Sequence, residues 1–533
     1  MTSYSTQKGR LYLLAIGFVL ACPVRAEQIA ADVALVGGQI IDGSGAPVRK
    51  GDILIADGKI IIPGDDDTID ATWTIDCSGL IVCPGFIDLH NHSDGEIEKP
   101  ETRAAVNYVT QGCTTMVTGN CGSGPVNVGA YYRKIDEFGA GTNIAHLIPQ
   151  GNLRKQVLDS ERVEPSDAQL SEMRDLAASG MRDGAWGMST GLIYVPSSFA
   201  STEEITEIAK IVSKHGGIYA SHIRGEGTEL LESVDEALRI GRDADLPVHI
   251  SHFKSSGRDS WGLVREAARI IAEQRKLGRV ITADQYPYIA SSTSLSATVL
   301  PSWAREGDDD DLRKRLDDDS EQMHELIKDR ITKADDGKAI RIASYKASAG
   351  WVGKDLATIA ESESRPIVEI AVEILQNGGA SVVKFAISEQ DVRHIMAIDW
   401  VATASDGGAK LPGGTKPHPR NYGTFPRKLA HYSIQENVLP LEQAVRSMTG
   451  LPAQILSMHD RGLIRDSLAA DITVFDPKTL RDTATFDSPH QYADGIRYVF
   501  VNGQPALVEG RYTGALAGKA LRFKPPTEPA DSK

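Results

Sequence analysis

The sequence predicts an α/β architecture. Its centre is a TIM-like (β/α)8 barrel, flanked by a small β-sandwich or barrel domain built from both chain ends and crossed by a helical insertion placed as a lid. Three observations predict it. The middle of the chain alternates short apolar runs with amphipathic segments. Several of those runs end in His, Cys, Asp or Lys, as a barrel with its chemistry at the strand ends should show. Stretches near the two ends are β-rich and carry turn signals instead of helical periodicity.

In chain order, the first 26 residues read as a secretory signal. Lys8 and Arg10 precede the apolar run Leu11–Leu20, and Val24-Arg25-Ala26 suits cleavage after Ala26. The run is too short to span a bilayer comfortably. Val19-Leu20-Ala21-Cys22 also matches, imperfectly, a bacterial lipoprotein box, which would place lipid on Cys22 and supply the one route to a membrane. The expectation is export to a bacterial periplasm. Residues 27–84 and 455–523 form the small β domain, 85–454 the barrel with an insertion at about 305–360, and 524–533 a polar tail. Two half-sheets from opposite ends join most simply when the termini lie close together. With 533 residues, 41% hydrophobic and 24% charged, one large barrel plus a smaller domain fits the length. A net charge of −15 argues against nucleic acid or an anionic membrane as partner. Five cysteines are too few for a disulfide scaffold; Cys77 and Cys83 are near enough to tempt a bridge, but nothing fixes their geometry. Oligomeric state is not readable.

Chemistry concentrates at strand ends. Pro84-Gly85-Phe86-Ile87-Asp88-Leu89-His90-Asn91-His92 is an apolar run opening into two histidines spaced i, i+2, which a strand sends to the same face. Imidazole is the commonest metal ligand, so His90 and His92 are half of a zinc site. Cys121 in Gly119-Asn120-Cys121-Gly122, His222 after Gly217–Ala220, His252 after Pro247–Ile250 and Asp406 in Ser405-Asp406-Gly407-Gly408 each end a separate candidate strand. Singly each has a bland reading: a small buried hydrophobe, a rim histidine, a turn aspartate. Their order gives them force. Lys254 lies two residues beyond His252 and alternates to the same face. His249 falls on the opposite face from His252. His146, His215, His324, His394, His459 and His490 lack a strand-end partner and read as surface or helix histidines, while His418 and His431 would support the loop carrying Arg420. The acidic run Asp308–Asp311 and its sequel read as solvated helix, with the insertion as a whole well placed to cover a site.

PGFIDLHNH, the following strand-end histidines and SDG resemble the amidohydrolase superfamily. GNCG, WGMSTGLIYVP, SHIRGEG, HISHFK, DQYPYIASST, PHPRNYGTFPR and GLIRDSLAADITVFDP narrow the resemblance to the N-acyl-D-amino-acid deacylases (D-aminoacylases), over roughly Asp32 to Phe523. The resemblance implies one tightly held Zn²⁺ on Cys121, His222 and His252, and a second, weaker site on His90 and His92. Asp406 would be both metal ligand and catalytic carboxylate. No lysine stands where many binuclear relatives carry a carboxylated one, and Cys121 takes that place. The implied reaction is hydrolysis of an N-acyl-D-amino acid, a small-molecule substrate, by metal-activated water, with Asp406 moving a proton from water to the leaving amine. Tyr194, Lys254 and Arg420 would clamp the free carboxylate. No cation lies between Ser294 and Arg305, which favours neutral or apolar side chains, although Arg224 could supply charge. A dipeptidase for peptides ending in a D-residue, or a cyclic-amide hydrolase, stays open as an alternative. So does a metal-bearing binding protein without turnover, against which Asp406 argues.

Overall fold

Short, fully buried strands make the barrel: β1 (Phe86–Asp88), β2 (Cys113–Thr118), β3 (Asn143–His146), β4 (Gly187–Gly191), β5 (Ile218–His222), β6 (Val248–Ile250), β7 (Ile281–Gln285) and β8 (Val401–Thr403). The structure is a computed structural model that describes residues 1–2, 28–64, 66–318 and 320–524. The expected signal segment beyond its first two residues, with Cys22, and the tail from 525 lie outside them. Neighbouring barrel strands pair in parallel from β1 to β3 and from β4 to β8. The segment Ile148–Pro149, directly after β3, pairs with β4, and a parallel bridge between Asn91 and Gly407 closes β1 against β8. Burial on both faces explains why these strands read as apolar runs and not as alternating ones.

Helices cover the outside. Thr202–Lys214 and Leu230–Ala244 are two of the amphipathic segments between barrel strands. The helix Asp167–Arg182 starts with a reciprocal cap between Ser166 and Gln169, which satisfies two otherwise unpaired amide donors. Each presents one apolar stripe inward, and those stripes join the strands in one continuous core.

The flanking domain is a nine-stranded sheet contributed by both chain ends. Its seam is the antiparallel pairing of Ile81–Pro84 with Ile472–Phe475, with Cys83 opposite Thr473. Leu35, Ile53, Ile55, Val474 and Phe500 fill its own core. The last sheet strand ends at Tyr512, so the boundary expected at 523 is corrected. Beyond it the backbone bonds to the barrel instead: Gly518 and Ala520 bridge to Ala140 and Ile144, and the Gly518 and Leu521 amides donate to the Ala140 and Ile144 carbonyls. Cys77 and Cys83 are free, buried thiols and not a disulfide.

The insertion is wider than 305–360. It begins with the strand Ala290–Ser294, which pairs antiparallel with Ser381–Phe385, itself paired with Ile340–Ser344. Helices packed on this sheet enclose a separate core around Met323, Ile327, Ile342 and Ile370. The polar helices are plain in the sequence, while the first anchoring strand, Ala290–Ser294, has the serine and threonine composition of a loop. Among the described residues, no helix is long and apolar enough to cross a membrane.

Lys428 is buried at 2% exposure in the segment 428–435, and burial pushes its ammonium down to about 7. The unfolded chain keeps its lysine protonated to about 10.4. The burial penalty is therefore complete below pH 7 and is relieved as pH rises from 7 towards 10. Lys428→Met should stabilise the protein at pH 7 by on the order of 1–3 kcal/mol and flatten that rise, as read by denaturant melts across pH.

Candidate metal centre and its carboxylate

At the C-terminal end of the barrel, donor atoms from five strand ends meet. His90 Nε2 lies 3.2 Å from Cys121 Sγ, which lies 3.6 Å from His222 Nδ1 and 3.8 Å from His252 Nε2. His222 Nδ1 and His252 Nε2 are 2.8 Å apart. Beside the same nitrogen of His90, Asp406 Oδ1 stands 3.1 Å from His92 Nε2 and 3.6 Å from His90 Nε2. The structure thus brings together all six expected ligands: His90, His92, Cys121, His222, His252 and Asp406. His90 is not confined to the second group, since its Nε2 faces Cys121 as well as Asp406.

Local backbone aims these groups. Cys121, His252 and Asp406 all have left-handed backbone, with φ of 51°, 36° and 49°, which turns each side chain out of its strand direction and into the barrel mouth. In the GNCG turn only glycine fits at 119. Its φ is +77°, and a Cβ there would sit 2.0 Å from the Leu147 carbonyl oxygen. Asp88, two residues before His90, fastens the first strand to the last. It accepts from the Ser405 amide at 2.8 Å, the Ser405 hydroxyl at 2.6 Å and the Asn91 side chain at 2.9 Å. The Asp406 amide then donates to the His90 carbonyl at 2.8 Å.

The charges follow from this crowding. Burial would raise the Cys121 thiol, but the His90, His222 and His252 imidazoles outweigh it and hold the group well below the usual thiol range. Burial likewise opposes ionisation of Asp406, yet Arg420, then His90 and His252, keep its carboxyl well below the ordinary range. A thiolate with imidazoles is a donor set that suits a tetrahedral cation. Zn–S near 2.3 Å and Zn–N near 2.0 Å put sulfur and nitrogen about 3.5 Å apart, close to the 3.2–3.8 Å found around Cys121. The 2.8 Å between His222 Nδ1 and His252 Nε2 is shorter than tetrahedral geometry gives. The buried His222 Nε2 has no hydrogen-bond partner, so the ring is oriented by its Nδ1 contacts and by the Tyr194 and His252 rings packed against it. The clustered histidine, cysteine and carboxylate groups could hold a metal ion.

Three carboxylates escaped sequence reasoning. Asp284, on β7, accepts from the His252 amide at 2.7 Å, bonds His249 Nε2 at 2.8 Å and lies 3.5 Å from His90 Nδ1. Glu226 Oε1 lies 3.0 Å from His252 Nδ1 and 2.5 Å from Lys254 Nζ. Asp88 is the third. Each sits in a quoted motif, FIDLHNH, DQYPY or RGEG, but a strand-end or turn carboxylate gives no sign of its partner.

The expected clamp residues line the same mouth. Tyr194 packs its ring 5.1 Å from that of His222 and bonds Thr293 of the insertion at 3.1 Å. Lys254 is 5% exposed and paired with Glu226. Arg420 donates to Asp406 Oδ2 at 2.7 Å, while its buried Nε has no partner. His418 accepts from the Arg420 amide, supporting that loop as expected. Arg224 is bound by Glu236 and the carbonyls of Ser198 and Ala200, so its charge is already spoken for. Lys384, half-buried on the insertion strand, is a further cation near Glu226; burial pushes its ammonium down and Arg330 adds to this, while Glu226 opposes both. His146 is corrected from a surface residue: it is fully buried at the end of β3, bonded to Thr118 at 2.9 Å and to the Pro125 carbonyl at 3.0 Å. His249 stays out of the cluster but stands directly behind it on Asp284.

Comparison with known proteins places this geometry in a lineage. A model of the amidohydrolase family matches residues 74–507. The D-aminoacylase of Alcaligenes xylosoxydans xylosoxydans is 36% identical over 92% of this chain and 97% of its own. A solved D-aminoacylase, described with a binuclear metal centre, one-metal activation and second-metal attenuation, superposes with a TM-score of 0.80 at 32% identity over 92% of this chain and all of its own. The N-acyl-D-glutamate deacylase of Bordetella bronchiseptica, solved with zinc and a phosphonate mimic of the tetrahedral intermediate, gives a TM-score of 0.78 at 30% identity over 93% of this chain and all of its own.

Glu226 joins a candidate metal ligand, His252, to the expected clamp residue Lys254, and such outer partners tune metal affinity. Glu226→Gln should weaken zinc binding by about 10–100-fold in a buffered-metal titration while leaving the circular-dichroism melt cooperative.

Proposed function

The chain belongs to the amidohydrolase family, and from that premise we propose that it hydrolyses the amide bond of N-acyl-D-amino acids, releasing a free D-amino acid and a carboxylate. The observation that carries this reading is Asp406. It is a buried, ionised carboxylate 3.1 Å from His92 and beside a thiolate–imidazole cluster, where a binding protein would have no use for a proton acceptor. Relatives named for D-aminoacylase and N-acyl-D-aspartate or N-acyl-D-glutamate deacylase activity, at 36%, 32% and 32% identity, support the substrate class.

Cys121, His222 and His252 would hold the principal Zn²⁺, with His90, His92 and Asp406 offering a second, weaker position. A cation bound there would polarise the amide carbonyl and acidify the attacking water. Asp406 Oδ1 accepts the proton released as the new C–O bond forms. It returns that proton to the amide nitrogen, so that the C–N bond breaks with a neutral amine leaving. His92, bonded to the same oxygen, holds the carboxylate in place for both transfers.

Arg420 has two roles in sequence. Without substrate it rests on Asp406 and keeps that carboxylate a weak base. A substrate α-carboxylate reaching its unpartnered Nε, with Tyr194 and Lys254 beside it, would draw charge away from Asp406 and raise its basicity when a substrate is in place. Neutral or apolar side chains remain the preferred class, because Arg224 is engaged and Arg305 donates to the Ile193 carbonyl. Lys384 is the cation that would serve an acidic side chain instead. Export to the periplasm is proposed from the signal segment alone.

The test is amino-acid release by residues 27–533, zinc-loaded, from paired N-acetyl-D- and N-acetyl-L-amino acids. Release should come from the D-series and be strongest for apolar side chains. Release favouring the D-aspartyl and D-glutamyl substrates would reassign the preference to Lys384. No release from either series would move the assignment to dipeptides ending in a D-residue. Asp406→Asn should lower kcat by about 10²–10⁴-fold.

A further inference from the structure

At the opposite, N-terminal end of the barrel lies a cavity of about 460 Å³, a volume typical of small-molecule sites. Its apolar wall comes from Ile218 and Val248, which open β5 and β6, from Trp400 just before β8, and from Leu451. Its charge is unusual for a protein with a net −15: Arg275, Arg279 and Arg446 line it against one carboxylate, Asp399.

These guanidinium groups are underused. Arg275 donates one Nη to the Ile281 carbonyl and stacks over Trp400, with 5.7 Å from its Cζ to the ring centroid. Arg446 donates one Nη to the Asp399 carbonyl at 2.8 Å. The side chain of Arg279 has no hydrogen bond or ion pair among the described residues, and Asp399 forms no ion pair with any of the three. The lining therefore offers several unspent N–H donors next to a dry aromatic and aliphatic wall, which is what a carboxylate with an apolar body requires.

We propose that this cavity binds a small monocarboxylate with an apolar body, an aliphatic or aromatic acid of about ten non-hydrogen atoms. The headgroup meets Arg279 and Arg446, and the body lies along Trp400 and Leu451. This site is separate from the metal centre and does not depend on the deacylase reading. His249, which also lines the cavity, forms its inner end and bonds Asp284 at 2.8 Å, so the two sites lie back to back within the bore.

The experiment is calorimetric titration of octanoate into the full zinc-loaded chain, with 1-octanol as the uncharged control. Octanoate should bind with a Kd below about 1 mM. Arg279→Ala should weaken it at least about tenfold, Leu451→Trp should abolish it by filling the cavity, and Lys254→Met at the other mouth should leave it intact. Octanol should bind more weakly. Should Leu451→Trp fold poorly, the partly exposed Arg279→Ala decides alone. No binding up to about 10 mM overturns the proposal, as does octanol binding as tightly as octanoate. Octanoate binding that survives Arg279→Ala but is lost in Lys254→Met also overturns it, by placing the acid among the clamp residues.

Discussion

Metal-competent donor atoms crowd one point in this molecule, and holding them there is the constraint on which the rest of the site depends. Cys121, His90, His222 and His252 place ligand atoms 2.8–3.8 Å apart in a buried volume. The backbone keeps them there. Cys121, His252 and Asp406 are held in left-handed conformations, and Asp88 ties the first barrel strand to the last. Strain of this kind costs of order 1–3 kcal/mol per residue and persists where surrounding structure over-determines it. A cation at the centre turns the same arrangement from a liability into a bonded group.

Around that centre, charge is organised in pairs. Glu226 carries Lys254, and Asp406 carries Arg420. Glu236 carries Arg224. The first two pairings keep buried cations compensated, as low-dielectric surroundings demand, and the third holds a half-buried one. The mouth is therefore close to electrically balanced, and an entering anion must exchange partners with a protein carboxylate instead of meeting a bare positive surface. Recognition of that kind depends on geometry more than on attraction, because the competing carboxylate is already in place. The insertion takes part directly: its first strand presents the Ser292 carbonyl to Arg420 and the Thr293 hydroxyl to Tyr194.

The legible parts of the site were those with periodic spacing. His90 and His92 at i, i+2, and residues ending apolar runs, could be found because strand alternation and strand-end placement are local rules. The family motifs then marked Tyr194 and Arg420. Asp284, Glu226 and Asp88 were invisible for a common reason. Their importance lies in which histidine or hydroxyl they meet across the barrel, and no spacing in the chain encodes that. His146 misled in the opposite direction: its strand, Asn143–His146, is four residues long and opens with a polar residue, so its burial was not apparent. The insertion's edges were missed because β-strands of serine, alanine and threonine, as in Ala290–Ser294, resemble loops in composition.

The seam of the flanking sheet has a consequence for how the molecule comes into being. Cys83 and Thr473 face one another across it, 390 positions apart. The segment Ile81–Pro84 leads directly through Gly85 into the strand bearing His90, and the Gly85 amide donates to the Asp471 carbonyl. Emerging from the ribosome, the strand Ile81–Pro84 must therefore wait for almost the entire polypeptide before its seam partner Ile472–Phe475 arrives. Contacts of such long range make folding slow and leave unpaired strand edges exposed meanwhile. The last hundred residues thus act as a clasp, and truncation from the carboxyl end would undo the anchor of the first strand rather than trim an accessory.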